Sequence, residues 1–262
     1  MTQAQAAPGP PGAMGGRTVH LFGGPYVTCA GHTLAVPQGS KRLVAFLALR
    51  RGRVERSHIA GTLWPSGGDS RAQGNLRSSL WRLRRAGIDV VLADKWSMTL
   101  DADVEVDADQ LSAWAGRVLH GGAHPADLSM ATLPADALDL LPGWYDDWVV
   151  IERERMRQRL MHALEALSRL LVDRRRYDDA VEVGLAAVAA EPLRESAQRA
   201  LIEALLAQHN PAEARRAFDE FRVLLARELG IEPTRQLAAL VAAQVRSELA
   251  PAADLSPMAA SR

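Results

Sequence analysis

One stretch constrains this chain more than any other: Ser70–Gly87, SRAQGNLRSSLWRLRRAG. At about 100° per residue, Ala72, Leu76, Leu80 and Leu83 fall on one narrow apolar stripe, which predicts an amphipathic helix. The far side carries Arg71, Gly74, Asn75, Ser78, Trp81, Arg82 and Arg85, flanked by Arg77 and Arg84. These residues include five arginines and no carboxylate. A solvated helix face ordinarily mixes signs. Five like charges in 18 residues repel one another unless an anion sits among them, and nucleic-acid phosphate is the anion that fits.

The net charge of the 262-residue chain is zero, but its distribution is not even. Eleven Lys and Arg residues stand against two carboxylates, Glu55 and Asp69, between Lys41 and Gly87, while the balancing acids lie mainly beyond residue 94. That asymmetry predicts one basic binding module and one neutral-to-acidic module. A single cysteine, Cys29, excludes a disulfide framework within the chain and a cysteine-based metal site. No run approaches the ~20 apolar residues of a membrane span. The N-terminus lacks the pattern of a secretory signal, so the expected location is the cytoplasm.

Read in order, residues 1–16 and 250–262 are expected to be disordered tails. Thr18–Phe22, Tyr26–Cys29 and Thr33–Val36 read as strands broken by Gly23-Gly24-Pro25 and Ala30-Gly31-His32. Ser40 is the expected N-cap of a helix over Lys41–Arg51, with Leu43, Val44, Phe46 and Leu47 inward. A second helix, Ser57–Leu63, buries Ile59, Ala60 and Leu63. Ser70 and Gln73 read as a capping box for the long helix, and Gly87 as its C-terminal stop. Ile88–Leu92 and Ser97–Leu100 read as a hairpin. A short helix bracing a long one, followed by a hairpin, is a winged helix-turn-helix, in which the long helix enters the major groove.

The alternating acids Asp101, Asp103, Glu105, Asp107 and Asp109 fail as a calcium loop, because Val106 stands where the turn needs Gly and Ser112 where Glu is needed. They read instead as a strand leading into a helix, Ala108–Leu119. Residues 120–134 read as a surface connection and Ala135–Leu141 as a short helix. Trp144, Tyr145 and Trp148 then open a long helix, either as core residues or as an interaction patch. From residue 150 the chain is expected to be helical over 150–173, 177–190, 193–208, 211–229 and 234–249. Asp179-Ala180 and Glu213-Ala214 stand 34 residues apart, and Tyr177, Ala180, Ala187 and Pro192 have tetratricopeptide spacing, with small residues where two helices approach.

The segment ERSHIAGTLWPSGGDSRAQGNLRSSLWRLRRAGI resembles the helix-turn-helix of the Streptomyces antibiotic regulatory protein family. LLPGWYDDWVVIERERMRQRLMHALEAL and AAEPLRESAQRALIEALLAQHNPAEARRAFDEFRVLLARELGIEPTRQL resemble the bacterial transcriptional activation domain that follows it. The likeness covers roughly residues 17–248. It implies an OmpR-like α+β winged helix-turn-helix over 17–101, followed by an all-α tetratricopeptide-like domain over 102–249. It also implies binding to direct repeats near a promoter, recruitment of RNA polymerase, and self-association as a homodimer. Neither a preceding receiver domain nor a following ATPase is expected.

By face, Arg71, Asn75, Ser78 and Arg82 are placed to reach base edges, and Arg77, Arg84 and Arg85 to meet phosphate. Arg53 and Arg56 are placed to meet phosphate beside the second helix's N-terminal amides. Lys95 and Trp96 sit at the hairpin tip, where Trp96 either touches DNA or packs on its own domain. The loop Trp64–Ser70 either faces polymerase, as the likeness implies, or simply connects. No catalytic elbow, phosphate loop or dinucleotide fingerprint occurs, and no metal or cofactor site is expected, so the chain does not read as an enzyme. The rival reading is a helical-repeat scaffold whose basic helix binds an acidic partner.

Overall fold

The computed structural model describes residues 16–133 and 136–249. The tails expected at 1–16 and 250–262 therefore lie outside the described residues, Gly16 apart. The chain divides into two compact units, Met1–Ala113 with Pro134–Met156, and Trp114–Leu133 with Arg157–Arg262.

The first unit opens with β1 (Arg17–His20), β2 (Tyr26–Cys29) and β3 (His32–Leu34). There follow α1 (Lys41–Arg50), β4 (Val54–Glu55), α2 (Arg56–Leu63), α3 (Asp69–Arg85), β5 (Val91–Ala93), β6 (Ser97–Leu100) and β7 (Val104–Val106). β1, β2 and β3 form an antiparallel meander, and β7 returns to pair parallel with β1, Val104 opposite Arg17 and Val106 opposite Val19. Val19, Val27, Val104 and Val106 are buried while Glu105 is exposed, the two-residue period of a sheet with one covered face. β4, β6 and β5 form the second sheet, in that order. Leu43, Val44, Phe46 and Leu47 on α1, Ile59, Ala60 and Leu63 on α2, and the predicted stripe of α3 are all buried. This is the winged helix-turn-helix read from the sequence.

Four local details differ from the sequence reading. The boundary expected at 101/102 falls between β6 and β7, yet β7 completes the first sheet by a long-range pairing that local pattern cannot reveal. Residues 136–138 form a turn rather than part of the helix expected over Ala135–Leu141 (Ala135 lies outside the described residues), and Leu140 pairs with Phe22. Ser40 stands at the head of α1 without capping it; its hydroxyl donates instead to the Ser79 carbonyl at 2.8 Å. α3 starts at Asp69 with Gly68 as its N-cap, so Ser70 lies inside the first turn and the Ser70/Gln73 box does not form. Asp69 there complements the helix dipole.

α4 (Asp107–Leu119) and α5 (Asp147–Asp173) contribute residues to both units. At the head of α4 the Asp107 carboxylate accepts from the backbone N–H groups of Leu21, Phe22 and Ala108 at 2.7–3.2 Å. Burial nevertheless pushes its pKa up to about 6. Two other acids of that stretch have basic partners, Asp101 with Arg17 and Asp109 with Arg51. Trp148 is buried edge-on against Phe46, whereas Tyr145 is exposed, so the aromatic cluster is split between core and surface.

The second unit continues with α6 (Tyr177–Ala190), α7 (Glu195–Ala207), α8 (Pro211–Leu229) and α9 (Arg235–Leu249). Asn210 caps α8 by accepting from Glu213 N, and Gly230 closes it in the left-handed region. Leu201, Ile202, Leu205, Ala214, Phe221, Leu225, Leu237 and Val241 share one core. α6 and α7 approach closely at Gly184, where an added Cβ would lie 2.9 Å from the Leu201 Cα. Arg194, just before α7, donates to Glu165 at 2.6 Å and to Gln158 at 2.8 Å, and the Ser196 hydroxyl donates to the same Glu165 oxygen at 2.7 Å. Glu195 in turn accepts from the Thr234 backbone N–H at 3.0 Å, tying the start of α7 to the residue that precedes α9. The connection after α4 is partly buried rather than superficial. Arg117 grips Asp127 with two nitrogens at 2.7 and 2.9 Å, and the Trp114 indole N–H donates to the Asp127 carbonyl at 3.1 Å.

Two outcomes follow. Gly184→Ala is expected to destabilise the protein by about 1–3 kcal/mol, read from urea unfolding, because the facing atom is backbone and cannot swing aside. The Arg117 fork holds the Asp127 carboxyl down to about 2, below the ~3.9 of an unfolded aspartate. Its contribution is therefore present above the unfolded pKa and is lost as pH falls from about 4 towards about 2. Asp127→Asn should melt below the parent at neutral pH, and the gap should close through that window.

Candidate nucleic-acid interface

α3 is fixed on one side and open on the other. Ala72, Leu76, Leu80 and Leu83 are buried, with Leu80 the least covered at 9 % exposure. A second, polar fixture works beside them. Ser79 is 1 % exposed; its hydroxyl donates to the Gly39 carbonyl at 2.7 Å, while its own carbonyl accepts from the Ser40 hydroxyl at 2.8 Å. This reciprocal pair sets both the height and the rotation of α3 against the turn before α1. The Arg82 guanidinium lies across Gly39, where an added Cβ would meet Nη1 at 2.5 Å and push that flexible side chain aside.

The opposite face presents Arg71, Arg77, Ser78, Trp81, Arg82, Arg84 and Arg85, all exposed, while Gly74 and Asn75 are half-buried. Among the described residues, no carboxylate lies within ion-pair distance of Arg71, Arg77, Arg82, Arg84 or Arg85. Arg82, Arg84 and Arg85 occupy the last turn, where the helix dipole favours cations. The Arg85 guanidinium sits over the Trp81 ring, 5.1 Å from its centroid.

The hairpin tip is organised by Asp94. Its carboxylate accepts from the backbone N–H groups of Trp96 and Ser97, each at 2.7 Å, and from the Ser97 hydroxyl at 3.0 Å. Those backbone bonds hold its pKa below the ordinary carboxylate range. Arg53 pairs with the same carboxylate and donates to Ser97 Oγ at 2.9 Å, and Arg56 donates to the Asp94 carbonyl at 3.2 Å. Arg53 and Arg56 thus fasten the hairpin to the start of α2, a role that sequence spacing did not suggest. Trp96 is 71 % exposed, with the Lys95 ammonium 4.7 Å from its ring centroid, so it does not pack on its own domain. Ser79, Gly39 and Asp94 carry no signal in the sequence by themselves. Ser79 is foreshadowed only by its place beside the apolar stripe.

A family model described as the bacterial transcriptional activator domain matches residues 104–244. The chain belongs to this family. It is 29 % identical over 213 residues to the regulatory protein AfsR of Streptomyces coelicolor, a stretch covering 78 % of this chain and 22 % of that protein. It is 28 % identical over 229 residues to AfsR of Streptomyces griseus, covering 82 % of this chain and 23 % of that one. The chain thus spans about a fifth of the length of these regulators. Among solved structures it resembles Mycobacterium tuberculosis EmbR in complex with a low-affinity phosphopeptide, with a TM-score of 0.69 and 21 % identity, over 89 % of this chain and 66 % of that one. The likeness is one of fold. The family match and the AfsR relatives bear out the resemblance to the Streptomyces antibiotic regulatory proteins, which are regulators rather than enzymes. Among the described residues, no helix is long and apolar enough to cross a membrane.

Removing the Ser79 hydroxyl takes its donor from the carbonyl of Gly39, an exposed residue, and ends a part-buried bond. Ser79→Ala is expected to cost about 0.5–1.5 kcal/mol in chemical unfolding, although it removes no side chain of the exposed face.

Proposed function

We propose that this chain is a sequence-specific, double-stranded-DNA-binding transcriptional regulator, an activator of a biosynthetic gene cluster working in the cytoplasm. The observation that carries this reading is the exposed face of α3, with its five arginines and no ion-pair partner among the described residues. In the proposed pose α3 lies in the major groove. Arg71, Ser78 and Arg82 face base edges, where arginine grips guanine through two donors, and the half-buried Asn75 reaches only the nearer edge. Arg77, Arg84 and Arg85 meet phosphate and set the register. The hairpin brings Lys95, and through the Asp94 turn Arg53 and Arg56, toward flanking backbone.

The remaining parts of the reading come from the family. Two copies sit on direct repeats, associating through the helical unit, and the complex recruits RNA polymerase. The regulatory names of the relatives support this, as does the activator-domain match over α4 to α9.

The test is a binding site selected from random duplexes by the full chain, followed by affinity measurements across a salt series. Each phosphate neutralised contributes about 0.9 to the slope of log K against log salt. Arg84→Ala is expected to weaken binding and to lower that slope by about 0.9, whereas Arg82→Ala is expected to cost about 1–3 kcal/mol of binding and to relax specificity at one position. Binding that ignores competitor DNA but follows an acidic protein would replace this reading with that of a scaffold.

A further inference from the structure

Trp81 has no part in the reading above. It is 57 % exposed on the arginine face of α3. Indoles are normally buried, because each carries a large apolar surface. Here the Arg85 guanidinium lies over the ring, and more than half of the residue's surface faces water.

Its neighbours shape what can meet it. Gly74, Ser78, Trp81 and Arg85 follow one another at four-, three- and four-residue steps, so they form one row on the helix. Gly74 offers no side chain, and a Cβ there would meet nothing closer than Arg77 Nη2 at 3.9 Å. The row is therefore shallow for two turns and then rises into the indole. A duplex edge can approach the backbone at Gly74 and Ser78 and run into the ring at Trp81.

We propose that Trp81 determines specificity by seating its indole against the C5-methyl group of a thymine in the major groove. The proposal rests on the DNA-binding reading. In that groove a base pair presents hydrogen-bond donors, acceptors and one apolar group, the thymine methyl, and only the last suits a ring face. An apolar patch on a protein would have to cover Arg77, Arg82, Arg84 and Arg85 along with the ring, none of which brings its own carboxylate. A duplex supplies phosphates around the same footprint.

The experiment uses the full chain and its selected duplex. Each thymine of the site is replaced in turn by deoxyuridine, which removes only the methyl group, and affinity is measured at one fixed salt concentration. At one thymine in each bound half-site the replacement should weaken the parent about fourfold, the effect of one buried methyl group. Trp81→Ala should bind the thymine duplex at least about fourfold more weakly and show no further loss with deoxyuridine at that position. Its thermal midpoint should match the parent's, since the ring is exposed. Two results overturn the proposal while leaving DNA binding intact: Trp81→Ala keeping the full deoxyuridine penalty, or binding the thymine duplex as tightly as the parent. A parent chain that selects no duplex at all overturns the DNA-binding reading itself and this proposal with it.

Discussion

Five guanidinium groups on one helix repel one another, and the apolar stripe behind them holds them in place. Two unit charges about 10 Å apart in water repel by roughly 0.4 kcal/mol. Burying one leucine side chain contributes about 1.5–3 kcal/mol. Leu76, Leu80 and Leu83, with Ala72, therefore outweigh the crowding on the other face. The dipole of α3 helps at the end where Arg82, Arg84 and Arg85 gather. Because the stripe is narrow, it alone would allow the helix to roll. The reciprocal Ser79–Gly39–Ser40 bonds remove that freedom, which decides where the arginines point.

What was legible in the sequence follows from what is local. The helices have a 3.6-residue period over many turns, and α6, α8 and α9 lie almost exactly where the pattern of apolar residues and breakers puts them. Capping is less legible. Ser40 has the right residue type in the right place, yet its hydroxyl finds a better acceptor on a helix 39 residues away. The same holds for β7, which looks like a strand from alternation but whose partner is the first strand of the chain. Such pairings are settled by tertiary packing, and local preference only permits them.

The candidate site divides in a similar way. The arginine face of α3 was visible because charge and period are both properties of a short window. Arg53 and Arg56 read locally as phosphate contacts at the start of α2, because the residue that engages them, Asp94, follows about 40 residues later. In the second unit, the two ends of the segment that resembles the activation domain form one clasp. The PLRES start of α7 and the GIEPT approach to α9 meet where Glu195 accepts from Thr234. A motif pair that seems arbitrary in a linear reading has a single mechanical cause.

The Asp94 turn has a consequence for any surface that the hairpin meets. A loop tip is usually loose in the free protein, and docking must then freeze it, at a cost in conformational entropy. Here two backbone donors, one hydroxyl and two arginines converge on one residue, so the tip is ordered in the free chain. The backbone that carries Lys95 and the exposed indole of Trp96 is therefore set before contact, and little of the interaction energy is spent on ordering it.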